Sequence, residues 1–255
     1  MSSTDLAASK DHLQSQCDLG QRQLMEMDYL LAESTLVAAE RAALAVKDFD
    51  TLARLYLPLQ EVRRQIRQRC GEGIVCLNLI SQGPDDRVTG EHVVDNFSHG
   101  QLLVAGWGTI EPAVRVRELA SRHGLFLETF LAAVFPVGAA RAVVIVPTED
   151  VSLPPPMPML TIDALLAQLP PHCIVLHADA IVQGSRRGTP QTYGEVMALW
   201  EQLHAAFLAA ADMQVDPMQK IEAYRKTIRV DAACELAHQR LSNTAKAIAR
   251  STAKQ

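Results

Sequence analysis

DPMQKIEAYRKTIRVDAACELAHQRL, residues 216–241, carries the clearest structural pattern in this chain. Charged residues surround an apolar stripe at positions i, i+3 and i+7 of a predicted helix, formed by Ile221, Tyr224 and Ile228. Asp216 can cap this helix, and Pro217 suits its first turn because that position needs no backbone donor. The stretch therefore predicts an amphipathic helix that buries one face.

A second helix follows after a short break at Asp231. Its small and apolar residues repeat the helical spacing: Ala233, Ala237, Leu241 and Ile248. We predict that the two helices pack as a hairpin, with Leu236 and Leu241 facing the first stripe. Arg225 and Lys226 are predicted to lie on the surface, where alanine substitutions cost under about 0.5 kcal/mol.

Residues 216–243 resemble the tetratricopeptide repeat, as the second helix of one repeat followed by the first helix of the next. The family's aromatic residue late in the second helix matches Tyr224, and its large apolar residue four positions later matches Ile228. The leucine followed by a small residue in the next helix matches Leu241 and Ser242. The resemblance implies stacked helical hairpins that present an extended surface to a protein or peptide.

This chain departs from the repeat pattern at three positions. Lys220 and Thr227 replace small residues of the family, and Ala232 stands near the junction that usually holds proline. Small residues let helices approach closely, so the departures predict altered packing between the helices.

The N-terminal part is predicted as another helical hairpin, with helices at 21–46 and 51–70. A weaker resemblance to the tetratricopeptide repeat occurs there, at Phe49, Asp50 and Tyr56. Residues 1–20 are predicted to form a polar lead-in.

The middle of the chain changes to a strand pattern. Four short apolar runs bounded by turn residues are predicted as buried strands: 74–80, 102–107, 142–146 and 173–177. Residues 127–135 fit a strand or a helix, and we favour a helix. The proline-rich residues 153–158 are predicted as an extended surface loop. Strands that alternate with helices predict a mostly parallel sheet with both faces covered.

The predicted fold class is therefore α/β, with a small, mostly parallel sheet inserted between flanking tetratricopeptide-like helices. The predicted domains are a lead-in at 1–20, a helical hairpin at 21–72, an α/β insert at 73–183, a linker at 184–192 and C-terminal tetratricopeptide-like helices at 193–250.

Composition argues against several function classes. Only 5% of the residues are aromatic and the net charge is −5, which disfavours a base-stacking nucleic-acid surface or an anionic membrane as partner. The charge is uneven: residues 71–182 hold 12 Asp/Glu against 5 Lys/Arg, whereas residues 216–255 hold 8 Lys/Arg against 4 Asp/Glu.

The five cysteines are scattered and include no C-x-x-C pair, so we expect a reduced chain and a cytoplasmic location. The polar start lacks the apolar segment of a secretory signal, and no window reaches eighteen consecutive apolar residues.

A metal site is the main candidate for chemistry. If the segment around Glu91 is helical, His92, Asp95 and His99 share one face, and imidazole and carboxylate groups suit a divalent metal. The alternative is an ordinary loop or surface turn. His177 and Asp179 follow a predicted strand, where α/β proteins often place their sites.

Other catalytic patterns are weak. Gly106 and Gly108 follow a strand, but Glu111 stands where a dinucleotide loop needs its third glycine, so no cofactor is predicted. Cys173 and His177 lie four strand residues apart, about 13 Å, which is too far for a catalytic dyad. Arg186 and Arg187, with Thr189, could hold an anion, although a solvated linker is the simpler interpretation.

The sequence favours a non-catalytic intracellular interaction or scaffold protein whose tetratricopeptide-like helices bind a protein or peptide. Because only about two hairpins are visible, the insert or a second copy in a homodimer has to complete the packing. The alternative is a small metal-dependent hydrolase with its site on the insert, near His177, Asp179 and residues 106–111.

Overall fold

A computed structural model describes the backbone of residues 3–157 and 161–252, and the side chains of residues 11–157 and 161–252. Pro158, at the end of the predicted proline-rich loop, lies outside these ranges. Contacts divide the chain into two compact units. We call Met1–Ile66 with Ala205–Gln255 the helical unit, and Arg67–His204 the α/β unit.

The described ranges contain nine α-helices and six strands. The helices are α1 (Ser3–Met25), α2 (Tyr29–Ala45), α3 (Phe49–Glu72), α4 (Gly90–Asn96), α5 (Glu111–His123), α6 (Ile162–Leu166), α7 (Pro190–Asp212), α8 (Pro217–Val230) and α9 (Glu235–Thr252). The strands are β1 (Ile74–Ile80), β2 (His99–Trp107), β3 (Phe126–Val137), β4 (Ala140–Val146), β5 (Ile174–His177) and β6 (Arg186–Arg187).

The chain is therefore an α/β protein. The predicted domain boundaries at 72/73 and 183/184 differ from the unit boundaries at 66/67 and 204/205. Compactness alone does not show that a unit folds independently, so the domain scheme stays a prediction.

The first helix replaces most of the predicted polar lead-in. Helix α1 begins at Ser3 and contacts α2, and its Leu13 and Cys17 are buried. Gly20 marks a close approach, because a Cβ there would lie 2.6 Å from the Leu36 side chain. From residue 11 onward, the polar side chains of this segment lie mainly on the exposed face of a packed helix.

Hydrogen bonds set the directions of the other helices in this unit. Helices α2 and α3 run antiparallel, as shown by bonds from Tyr56 Oη to Glu40 Oε1 at 3.0 Å and from Arg63 Nε to Glu33 Oε1 at 2.8 Å. Helices α3 and α9 are also antiparallel, with bonds from Ser242 Oγ to the Ala53 carbonyl oxygen at 2.6 Å and from Gln60 Nε2 to Glu235 Oε2 at 3.2 Å.

Helix α8 forms as its sequence pattern predicts. Asp216 Oδ2 accepts a bond from the Gln219 amide at 2.8 Å, and the stripe of Ile221, Tyr224 and Ile228 is buried. In α9, Leu241 is buried, but Leu236 is exposed and does not face the stripe. The prediction that Leu236 packs there is wrong, since the first turn of α9 presents it to solvent.

We expect Ile228→Ala to lower the free energy of unfolding by about 2–3 kcal/mol, because it removes a buried side chain and leaves a cavity. Urea denaturation measures this loss. Arg225 is no longer a suitable control, because its Nε donates to Glu40 Oε1 at 3.3 Å. Lys246 is exposed without an ion-pair partner among the described residues, so Lys246→Ala should cost under about 0.5 kcal/mol. Equal losses for the two variants would contradict the packing of α8.

The α/β unit contains a mixed sheet in the order β5-β4-β3-β2-β1-β6. Strands β1, β2 and β3 are parallel, whereas the β3–β4, β4–β5 and β1–β6 pairs are antiparallel. The predicted mostly parallel sheet is therefore wrong. The favoured helix at 127–135 is instead strand β3, and the short turn through Gly138, at φ 58°, returns the chain as β4. So short a turn can join only antiparallel strands.

The two faces of the sheet are covered differently. One face packs against α4, α5 and α6 through an apolar cluster that includes Leu102, Val116 and Leu131. On the other face, the Phe130 ring stacks on Trp200 of α7, with ring centroids 4.2 Å apart. The predicted linker at 184–192 holds the two-residue strand β6 and the first turn of α7.

Candidate functional site

The predicted metal ligands do not share a helix face. Helix α4 ends at Asn96, and His99 begins β2, where it pairs in register with Phe126. The helical premise is wrong because sheet pairing holds His99 in an extended conformation. Among the described residues, the ligand atoms of His92, Asp95 and His99 do not lie within 4.8 Å of one another. A metal site at these residues finds no support in this arrangement.

The residues of the alternative enzyme site also lie apart. His177 ends β5 and Asp179 follows in a short 3-10 turn, whereas residues 106–111 follow β2. Three strand spacings separate β5 from β2, about 14 Å. The turn after β2 is closed on itself, because the Gly106 amide donates to the Thr109 carbonyl oxygen at 3.1 Å.

Cys173 lacks the properties of an activated nucleophile. Burial raises the pKa of its thiol to about 11, so the thiol stays protonated near neutral pH. It precedes β5 and packs against the apolar cluster of the sheet. Cys173 is therefore a packing residue.

The interior of the helical unit holds charged groups that satisfy one another. Arg63 donates to Glu33 and, through Nη1, to Nε2 of the buried His238 at 3.2 Å. Glu40 accepts bonds from Tyr56 and Arg225. Burial lowers the pKa of Arg225, but the Glu40 and Glu222 carboxylates outweigh it and leave the pKa raised. This network links α2, α3, α8 and α9, and it is a structural element.

The outside of the same unit is unusually apolar. Among the side chains that the structure describes, thirteen large apolar ones are exposed, and ten of these belong to the helical unit. They are Leu19, Met25, Met27, Leu31, Val46, Leu57, Met213, Val215, Met218 and Leu236. Since this unit has fewer than half of the residues, exposed apolar surface is concentrated on it.

Four of these side chains lie at one end of the helical unit, and we call them the apolar rim: Val46, Met213, Val215 and Met218. Helix α2 is antiparallel to α3, α3 is antiparallel to α9, and α9 is antiparallel to α8 in the hairpin that they form. Helix α8 therefore runs antiparallel to α2. Glu40 of α2 contacts Arg225 of α8. Val46 lies six residues after Glu40, about 9 Å along α2, and Met218 lies seven residues before Arg225, about 10 Å along α8. Because the two helices are antiparallel, both displacements point in the same direction. Met213 and Val215 occupy the turn before α8 and are 81% and 94% exposed.

Carboxylates beside the apolar rim are already engaged within the fold. Asp48 accepts bonds from Thr51, and Asp216 caps α8. Asp212 accepts from Tyr224 Oη at 2.7 Å and also binds Arg240.

The nearby lysines, by contrast, have no carboxylate partner in the described structure. Lys47 is exposed at a φ of 55°, and the Lys220 ammonium reaches only the Asp212 carbonyl oxygen, at 3.4 Å. Two lysine ammonium groups without a direct carboxylate partner therefore border the apolar rim, beside carboxylates that the chain's own donors hold.

The sequence contained a signal for this surface that periodicity alone does not reveal. Met213 and Val215 are apolar residues inside a turn, outside any helical stripe, where no core contact is expected. Val46 and Met218 are brought to the same end only by tertiary structure, through the Glu40–Arg225 ion pair that joins α2 to α8.

Comparison with models of known protein families, with curated proteins and with solved structures gave no match. Within the described ranges, none of the helices combines the length and apolar character needed to span a bilayer.

Proposed function

We propose that this chain is an interaction protein whose helical unit binds an acidic, amphipathic segment of a partner protein at the apolar rim. The observation that carries the proposal is the exposure of Val46, Met213, Val215 and Met218 at one end of the helical unit, since clustered exposed apolar side chains mark interaction sites. Methionine suits such a surface because its flexible side chain adapts to different apolar partners.

The charge pattern supports an acidic partner. Lys47 and Lys220 border the apolar rim without carboxylate partners, whereas the nearby Asp48, Asp212 and Asp216 accept hydrogen bonds from the chain's own donors. Acidic residues that flank an apolar anchor would pair with these lysines and steer the encounter.

The resemblance of residues 216–243 to the tetratricopeptide repeat supports the same class of function. We include tetratricopeptide-like hairpins in the proposal, with α8 and α9 as the joined helices of successive repeats. None of the five cysteines, all of which lie in the described ranges, forms a disulfide bond, which supports a reducing compartment.

A phage-displayed library of random peptides tests the proposal and requires no identified partner. We expect selection on the purified protein to enrich peptides with two apolar residues one helical turn apart, flanked by Asp or Glu. The binding affinity for these peptides should fall about tenfold or more in the triple variant Met213→Ser, Val215→Ser, Met218→Ser, since apolar anchors dominate such interfaces. Lys47→Glu should also lower the affinity for these peptides, and the loss should be larger at low salt than at high salt because salt screens the charge interaction.

The matched control is Leu166→Ser with Val182→Ser, which changes exposed apolar side chains of the α/β unit. It should leave peptide affinity unchanged. Selection of peptides that bind the rim variant as tightly as the unchanged protein would refute the proposed docking surface. Circular dichroism and melting curves verify that each variant is folded.

A further inference from the structure

The α/β unit contains a cleft of about 380 Å³ at the amino ends of β1 and β2, in the size range of small-molecule sites. The residues that line it are Glu72, Gly73, Ile74, Asn96, Phe97, Ser98, His99 and Arg187. The proposed function uses the helical unit and leaves this cleft without a role.

Sheet register brings Arg187 into the cleft. Ile74 pairs with Gly100 on one side and with Arg187 on the other, and directly paired residues project to the same face. Ile74 packs toward the apolar cluster beneath α4 and α5, so Arg187 projects to that face as well. Its neighbour Arg186 projects to the other face, where Nη2 binds Glu195 Oε2 at 2.8 Å.

Arg187 is the cation of the cleft, and its guanidinium has no hydrogen-bond or ion-pair partner among the described residues. The Ser98 hydroxyl is likewise without a bond in the described structure. A guanidinium fork offers paired donors whose geometry matches a carboxylate. This side of the cleft therefore suits a carboxylate group.

The cleft also presents acceptors. The His99 ring is not one of them, because it projects to the opposite face from its neighbour Gly100, and its Nε2 donates to the Arg69 carbonyl oxygen of α3 at 2.5 Å. Asn96 Nδ2 donates to the His92 carbonyl oxygen at 2.7 Å, which leaves Oδ1. Glu72 adds a half-exposed carboxylate at the C-terminal end of α3, where the helix dipole is negative, and its only ion-pair partner in the described structure is the exposed Arg69 of the same helix, at 3.3 Å. These groups suit an ammonium.

We propose that this cleft binds a small zwitterion with the layout of a free α-amino acid. Arg187 and Ser98 bind its carboxylate, and Glu72 and Asn96 accept from its ammonium. Phe97 and Ile74 contact its side chain.

Calorimetric titration with neutral free amino acids, from glycine to phenylalanine, tests the proposal on the full chain. We expect at least one to bind, and its N-acetyl and amide derivatives to bind about tenfold or more weakly, because each lacks one charge. Arg187→Gln should abolish the preference for the free carboxylate over the amide. Glu72→Gln should reduce the preference for the free amine over the N-acetyl form.

Arg122→Gln is the matched control, because Arg122 is exposed in the same unit and outside the cleft. It should bind as the unchanged protein does. Absence of binding by every amino acid in the panel overturns the proposal. N-acetyl derivatives that bind as tightly as the free forms also overturn it, and indicate a plain anion site. The peptide selection on the helical unit is independent of either result.

Discussion

Arg67→Ala is expected to lower the free energy of unfolding by about 3–5 kcal/mol, because it removes a buried guanidinium and leaves the partly buried Glu128 carboxylate without its ion-pair partner. The Arg67 side chain is 3% exposed, and its Nη2 donates to Glu128 Oε1 at 2.7 Å. Its guanidinium also lies over the Trp200 ring, 4.7 Å from the centroid. Gln101 Nε2 also donates to Glu128 Oε2 at 3.1 Å. The Glu128 carboxylate therefore joins Arg67 of α3 to Gln101 of β2 on the sheet face that α7 covers.

Urea denaturation followed by tryptophan fluorescence measures this loss, since Trp200 packs in the affected layer. The matched control is the double variant Arg67→Met with Glu128→Leu, which removes both charges and keeps apolar volume. We expect the double variant to recover most of the lost stability, because a buried ion pair contributes little beyond an apolar pair of similar size. A double variant that is as unstable as Arg67→Ala would contradict this explanation.

The fold was predictable where one local signal dominated. Helix α8 has a stripe, a capping aspartate and an N-terminal proline, and all three agree. The residues of β3 combine Leu, Ala and Phe without alternation, because the strand is buried on both faces. A strand of that kind has no period of two, so its pattern does not distinguish it from a helix. The direction of β4 depended on the turn at Gly138.

The candidate sites depended on tertiary packing to a greater degree. His92 and His99 have helical spacing in the sequence, but Asn96 ends the helix between them. Arg67 resembles any cation near a helix C-terminus, and only the position of Glu128 on β3 makes it a buried ion pair. Arg187 enters the cleft through its pairing with Ile74, which lies more than a hundred residues away in sequence.

The stability of the helical unit is expected to decrease below about pH 6.5, and His238 is the cause. Its Nδ1 lies 2.9 Å from the Cys234 carbonyl oxygen, which can only accept, so Nδ1 carries the hydrogen. Its Nε2 then accepts from Arg63, and a second proton would face that guanidinium. Burial, with the nearby Arg63 charge, lowers the pKa of His238 to about 3, and the weaker attraction of Asp231 does not offset this.

In the unfolded chain the same imidazole titrates near its ordinary pKa of 6.5. Between these two values the unfolded state binds a proton that the native state does not. The free energy of unfolding therefore falls by about 1.4 kcal/mol for each pH unit below 6.5, a loss of about 2 kcal/mol at about pH 5. His238→Gln is the control, because glutamine can donate to Cys234 and accept from Arg63 without titrating. Urea denaturation of both proteins at several pH values isolates the effect, since every other titrating group is common to them. Parallel pH profiles for the two proteins would show that His238 is not held neutral in the native state.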